Sequence, residues 1–191
     1  MLYLASQSPR RRQLLEQIGM RFGTVDVDVP EVRAAGEPAE DYVSRVAREK
    51  AGAGLLKLSG VQDAIVLGAD TEVVLDGDVF GKPEDDAHAV AMLDRLSGRT
   101  HRVISAVWVL SGGREEHALH ASEVTFAALS ADDIAAYVKS GEPRGRAGAY
   151  AIQGRAGAFV SLLHGSHSSV MGLPLHETAQ LLRRFGLSAS I

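Results

Sequence analysis

The chain has 191 residues, 46% of them hydrophobic, a formal net charge of -4 and no cysteine. This suffices for one medium globular domain or two lobes sharing a cleft, and it excludes disulfide stapling, iron–sulfur ligation and thiolate zinc sites. The negative balance argues against a sequence-independent nucleic-acid binder, and no run approaches the roughly 20 apolar residues of a membrane span. The first residues lack a signal peptide's basic start, so a cytoplasmic protein is expected.

Residues 2–5 predict a short apolar strand, followed by Ser8-Pro9 as N-cap and first residue of a helix with Leu14, Leu15 and Ile18 inward. That helix opens on Arg10-Arg11-Arg12. Unpaired N–H groups and the positive dipole end already favour an anion there, and three guanidinium groups add repulsion that a phosphate chain would offset. Consecutive helical residues point about 100° apart, so all three cannot face one ligand, and Arg12 is expected in solvent.

Residues 22–29 alternate as a strand up to Pro30, residues 31–36 form a loop, and a helix opens at Glu37-Pro38 and ends near Ser59-Gly60. Residues 64–75 predict a strand interrupted by Gly68-Ala69-Asp70-Thr71-Glu72, whose small residues would leave room for a ligand. Asp76-Gly77 predicts a hairpin, Asp85 starts a helix ending at Ser97-Gly98, and residues 102–110 and 115–129 form an antiparallel pair. Ser130-Ala131-Asp132-Asp133 is a capping box, residues 140–148 a loop, 150–163 an apolar stretch broken by Gly154 and Gly157, and Pro174 opens the last helix. Strands and helices alternate first and a meander follows, which predicts an α/β fold: a mixed sheet in two lobes with a cleft between them.

The residues able to carry chemistry are Ser6, Arg10 and Arg11 at the first strand–helix turn, Glu31 in a loop, Lys50 on a helix, Asp70 and Thr71 within a strand, Lys82 beside Pro83, and Gln153 before Gly154. Asp70 stands between apolar runs, where an unpaired charge is expensive; a structural hydrogen bond or ion pair is the competing explanation. Together with Glu31 it could hold Mg2+ against phosphate oxygens, or orient and deprotonate a water. Lys50 and Lys82 are either solvated surface residues or point charges against phosphate. The pairs His117/His120 and His164/His167 are poor metal pairs, the first because strand residues three apart face opposite sides. No phosphate-loop or dinucleotide glycine motif is present, nor an aromatic platform for single-stranded nucleic acid.

Leu4-Ala5-Ser6-x-Ser8-Pro9-Arg10-Arg11, Ala47-Arg48-Glu49-Lys50-Ala51, Leu67-Gly68-Ala69-Asp70-Thr71, Gly81-Lys82-Pro83, Ser140-Gly141-Glu142-Pro143, Ala147-Gly148-Ala149-Tyr150-Ala151-Ile152-Gln153-Gly154 and Gly172-Leu173-Pro174-Leu175 together resemble the Maf family of nucleotide pyrophosphatases. The motifs come in family order and spacing over nearly the whole chain. The resemblance implies a single domain over residues 1–191, similar to the inosine triphosphate pyrophosphatases, with an elongated mixed sheet, two lobes, flanking helices, a central cleft and often a homodimer. It implies hydrolysis of a nucleoside triphosphate to the monophosphate and pyrophosphate with a divalent metal, Mg2+ first, with Mn2+ or Co2+ as alternatives. Carried over, Ser6 and Arg10 bind phosphate, Lys50 and Lys82 neutralise transferring charge, and Glu31 and Asp70 hold metal and water, with Asp70 as proton acceptor. Arg11, Thr71 and Gln153 match the specificity residues of the branch acting on dTTP and UTP. The amide of Gln153 suits the acceptor–donor–acceptor edge of uracil or thymine. The alternatives are the 7-methyl-GTP branch and a non-catalytic nucleotide-binding regulator of cell division. His167 departs from the family, which often has Tyr in that turn.

Overall fold

The computed structural model describes residues 1–188; the last three positions of the expected domain lie outside the described residues. Strands β1 (Leu2–Ala5), β2 (Phe22–Thr24), β3 (Ile65–Leu75), β4 (Asp78–Phe80), β5 (Thr100–Ser111), β6 (Arg114–Phe126) and β7 (Val160–His164) form one mixed sheet in the order β2-β1-β3-β5-β6-β7, with β4 on β3. Both ladders of β1 are parallel, pairing Leu2 with Phe22 and Ala5 with Gly68, whereas β4 on β3 and β7 on β6 are antiparallel. The helices are α1 (Pro9–Gln17), α2 (Ala39–Lys57), α3 (Asp86–Leu96), α4 (Ala131–Lys139), α5 (His167–Met171) and α6 (Leu175–Arg184). Among the described residues, no helix is long and apolar enough to cross a membrane. The mixed α/β class expected from the alternation is present.

Two compact units divide the described residues, the first comprising residues 1–70, 105–120 and 172–188, the second residues 71–104 and 121–171. In the first, α2 lies against the sheet through two glycines. A Cβ on Gly54 would come within 3.1 Å of Val66, Ala5 and Val25, and one on Gly68 would sit 2.4 Å from the Ala47 carbonyl oxygen and 2.5 Å from the Ala51 nitrogen. Ala5, Val25, Ala51, Val66 and Leu110 form a buried cluster at this contact. Gly68 therefore admits the backbone of α2, not a ligand, which corrects the expectation drawn from its small size.

In the second unit, α3 and α4 pack on a core that includes Leu93, Leu96, Phe126, Ile134, Tyr137 and Tyr150. Asp85 caps α3 by accepting from the His88 N–H at 2.7 Å, and Ser130 and Asp133 complete the expected capping box of α4. His101, 1% exposed, meets Phe126 and Tyr150 edge-on and shares a 2.8 Å hydrogen bond with the Tyr150 hydroxyl. Burial holds its pKa down at about 4.

Three local expectations differ from the structure. The strand expected over 22–29 stops at Thr24, since Val25 to Val29 have no ladder partner beyond the Val25 N–H bond to Leu4. His164 and His167 flank Gly165-Ser166, which connect β7 to α5; no helix is expected at this point of the sequence, yet His167 opens α5, where the Ser166 hydroxyl accepts from the Ser169 N–H at 3.2 Å. Ser8 occupies the N-cap of α1 without a side-chain bond; instead its own N–H donates to Ser6 Oγ at 3.1 Å.

Candidate active site

Parallel pairing of β1 with β3 sets the carboxyl end of β1, at Ala5, beside Gly68 in the first half of β3, and the region beyond the carboxyl end of a parallel strand is the usual place for a ligand in such sheets. Ser6 follows the end of β1, and Asp70 lies two residues past the Gly68 that pairs with Ala5. Directly opposite Gly68 runs the turn of α2 that carries Lys50, next to Ala51. The bare backbone of Gly68 thus determines how closely Lys50 approaches the strand.

Lys50 Nζ donates to Asp70 Oδ1 at 2.7 Å and to Glu31 Oε1 at 2.6 Å. The side chains of Lys50 and Asp70 are 11% and 7% exposed, and that of Glu31 is 31% exposed. One ammonium faces two carboxylates, so the trio carries one excess negative charge. Asp70 Oδ2 is buried and makes no hydrogen bond. A buried carboxylate oxygen without a donor is costly, and a cation placed against it offsets that cost.

The opposite imbalance occurs at the start of α1. Arg10 Nη1 is buried and has no acceptor. Arg11 donates through Nε to the Gly172 carbonyl at 2.9 Å and through Nη1 to Ser6 Oγ at 3.4 Å, while Arg12 is exposed as expected. The three arginines therefore separate into one with an unanswered donor, one tied to the backbone before α6, and one in solvent.

The donor set suits a hard divalent cation. Mg2+ is ordinarily held by one or two carboxylates plus substrate phosphates, and Asp70 Oδ2 with Glu31 supplies oxygen ligands of that kind. Among the described residues no group of three or more His, Asp or Glu is arranged around a common metal position. His117 instead stacks on Trp108 at 4.2 Å, and His120 Nδ1 lies 2.7 Å from Glu177 Oε1.

Thr71, Lys82 and Gln153 belong to the second unit. Thr71 is half-buried, and Lys82 and Gln153 are exposed. The Gly81-Lys82-Pro83 turn is tied down where the Gly81 carbonyl accepts from the Gly148 N–H at 3.1 Å. Gly148, at φ +66°, has no room for a side chain, because a Cβ would meet Val73 at 2.8 Å. Around Gln153, Glu142 accepts from the Tyr137 hydroxyl at 2.9 Å and from the Arg155 N–H at 3.2 Å. Sequence reasoning singled out Gly141-Glu142-Pro143 only as a motif, since a contact across a loop leaves no periodic signal. The fit of Gly68 against α2 was missed because glycine reads equally as space and as close approach.

A family description, Maf-like protein, matches residues 1–185. The dTTP/UTP pyrophosphatase of Xanthomonas campestris pv. campestris is 59% identical over 188 residues, 97% of this chain and 99% of that protein. A nucleoside triphosphate pyrophosphatase of Xylella fastidiosa is likewise 59% identical over 186 residues, 97% of this chain and 98% of the relative. Among solved structures, the Staphylococcus aureus Ham1 protein overlaps 66% of this chain and 71% of its own at a TM-score of 0.44 and 14% identity. With a family match over nearly its full length and relatives at this identity, the chain belongs to the Maf family.

Proposed function

We propose that this protein is a nucleoside triphosphate pyrophosphatase that hydrolyses dTTP and UTP, and modified pyrimidine nucleotides of similar shape, to the monophosphate and pyrophosphate. Family membership and the names of the relatives support the reaction class. The observation that carries it in this chain is a pair of buried atoms on oppositely charged side chains that make no hydrogen bond: Asp70 Oδ2 and Arg10 Nη1. A triphosphate with a divalent cation would satisfy both, the phosphate oxygens taking the guanidinium and the cation taking the carboxylate.

In this reading Asp70 accepts the proton of the attacking water as its oxygen bonds to phosphorus in line with the α–β bridge. That bridge breaks, and the electron pair leaves with pyrophosphate. Lys50 holds Asp70 and Glu31 in position through its two short bonds. Ser6 and Arg10 contact phosphate, and Lys82 neutralises charge in the role that the family resemblance gives it. Mg2+ held by Asp70 and Glu31 would supply charge neutralisation at the phosphate oxygens, with Mn2+ or Co2+ as substitutes. Catalysis of this type is chiefly positioning and electrostatics. Thr71, Arg11 and Gln153 select the base, the Gln153 amide pairing with the pyrimidine edge. A cytoplasmic location, where nucleoside triphosphates circulate, and a homodimer, which the family resemblance implies, belong with this function.

The test is pyrophosphate release from a panel of triphosphates that includes dTTP, UTP, 7-methyl-GTP and the purine nucleotides, with Mg2+ or Mn2+. Preferential turnover of dTTP and UTP is expected. Turnover of 7-methyl-GTP alone would move the chain to the other branch, and no turnover of any triphosphate would leave a nucleotide-binding regulator.

A further inference from the structure

The turn that carries Gln153 is exposed, yet it is held from beneath by residues that play no part in the chemistry described above. Tyr137, 3% exposed in the last turn of α4, accepts from the Ala151 N–H at 3.2 Å and donates to Glu142 Oε1 at 2.9 Å. The other carboxylate oxygen, Glu142 Oε2, accepts from the Arg155 N–H at 3.2 Å. Backbone groups two residues before and two residues after Gln153 are thus fastened to one hydroxyl–carboxylate pair. Within the turn, the Gly154 N–H returns to the Ala151 carbonyl at 2.9 Å.

Gly154 completes the arrangement. A Cβ there would lie 2.3 Å from Glu142 Oε1 and 2.6 Å from Oε2, so the carboxylate occupies the space a side chain would need. Glu142 accepts from two different donors with its two oxygens; an amide can accept at only one of them, and its NH2 would either face the Arg155 N–H or reverse the bond to Tyr137 and leave the buried O–H without an acceptor. The burial of the Tyr137 hydroxyl, reinforced by Glu142, pushes its pKa well above the usual tyrosine value, so the bracket keeps its proton through the physiological range.

We infer that Glu142, with Tyr137, is a positioning residue for base selection: it fixes the backbone on both sides of Gln153 so that the Gln153 amide meets the pyrimidine edge in one orientation. This rests on the reading of Gln153 as the base-selecting residue. A side chain that must present a donor and an acceptor at fixed angles loses most of its discrimination when its backbone wanders, whereas phosphate contacts elsewhere tolerate the movement.

The experiment measures kcat and KM for UTP and ATP in Glu142→Gln, Gly154→Ala, Gln153→Ala and the double variant Glu142→Gln/Gln153→Ala, with thermal melting as a check on folding. Gly154→Ala reaches the carboxylate by crowding it instead of changing its chemistry, so it tests the same bracket should Glu142→Gln fold poorly. In both, KM for UTP is expected to rise about fivefold or more with kcat within about twofold, eroding the preference over ATP, as loss of one hydrogen bond implies. The double variant should discriminate no worse than Gln153→Ala alone. Equal losses on UTP and ATP would show a merely structural role, and a normal preference in Glu142→Gln and Gly154→Ala beside an impaired Gln153→Ala would overturn the positioning role. A normal preference in Gln153→Ala would instead overturn the base-selection reading and the bracket's role with it.

Discussion

At the scale of single residues, the decisive arrangement is one lysine between two carboxylates. Removing Lys50 takes from Asp70, 5% exposed, and from Glu31 the ammonium that both carboxylates accept from. Breaking a buried pair from one side typically costs about 3–5 kcal/mol. Lys50→Met is therefore expected to lower the urea-unfolding free energy by about that amount, and Asp70→Asn in the same chain should return part of the loss; equal stability of Lys50→Met and the parent would show that the trio is solvated. Gln153→Ala should lower kcat/KM for UTP by about 1–3 kcal/mol, since the base edge loses its partner. A steady-state comparison with the parent settles it, and an unchanged value would locate base recognition elsewhere.

At the scale of elements, the contact between α2 and β3 links the fold to the site. Gly68 lets the backbone at Ala47 and Ala51 lie against the strand, and Lys50 is the neighbour of Ala51. Gly68→Ala drives a methyl into backbone atoms, which no rotamer change can relieve, so a loss of about 1–3 kcal/mol is expected from overpacking. Because the displaced turn carries Lys50, turnover should fall even where the variant remains folded. Melting and turnover measured on one preparation check both, and a variant of parental stability and activity would contradict the close approach. Much of this element pattern was legible in the sequence: the alternation of strand and helix at the start, the hairpin at Asp76-Gly77, the capping box at Ser130 and the start of α3 near Asp85 all depend on neighbours in the chain. The extent of β2, the packing of Gly68 and the bracket under Gln153 depend on partners far along it, so no local pattern announced them. For the site, residue types and spacing identified Glu31, Lys50 and Asp70 as candidates, but that they form one trio is visible only once the turn of α2 meets β3 at Gly68.

At the scale of the whole molecule, stability depends on pH through a group outside the candidate site. His101 is buried against Phe126 and Tyr150, and burial lowers its pKa from 6.5 to about 4. In the unfolded chain it takes up a proton below about pH 6.5, whereas in the folded chain it stays neutral down to about pH 4. Between these values the unfolded state binds more protons, so stability is complete above the unfolded pKa and falls as the pH drops through the window. At about 1.4 kcal/mol per pKa unit, the loss approaches about 3 kcal/mol. Unfolding in urea at several pH values should show a shallower decline for His101→Gln than for the parent; parallel curves would remove His101 as the cause.

In the proposed reaction the buried carboxylate of Asp70, held by Lys50 beside Glu31, drives hydrolysis of the α–β phosphoanhydride. Asp70→Asn preserves the shape of the side chain and removes its capacity to take a proton. The most direct measurement is therefore pyrophosphate release from UTP with Mg2+, compared between the parent and Asp70→Asn. The parent should yield UMP and pyrophosphate in equal amounts, and the variant should be slower by about 100-fold or more, the usual contribution of a positioned base. Parental turnover in Asp70→Asn would contradict the account.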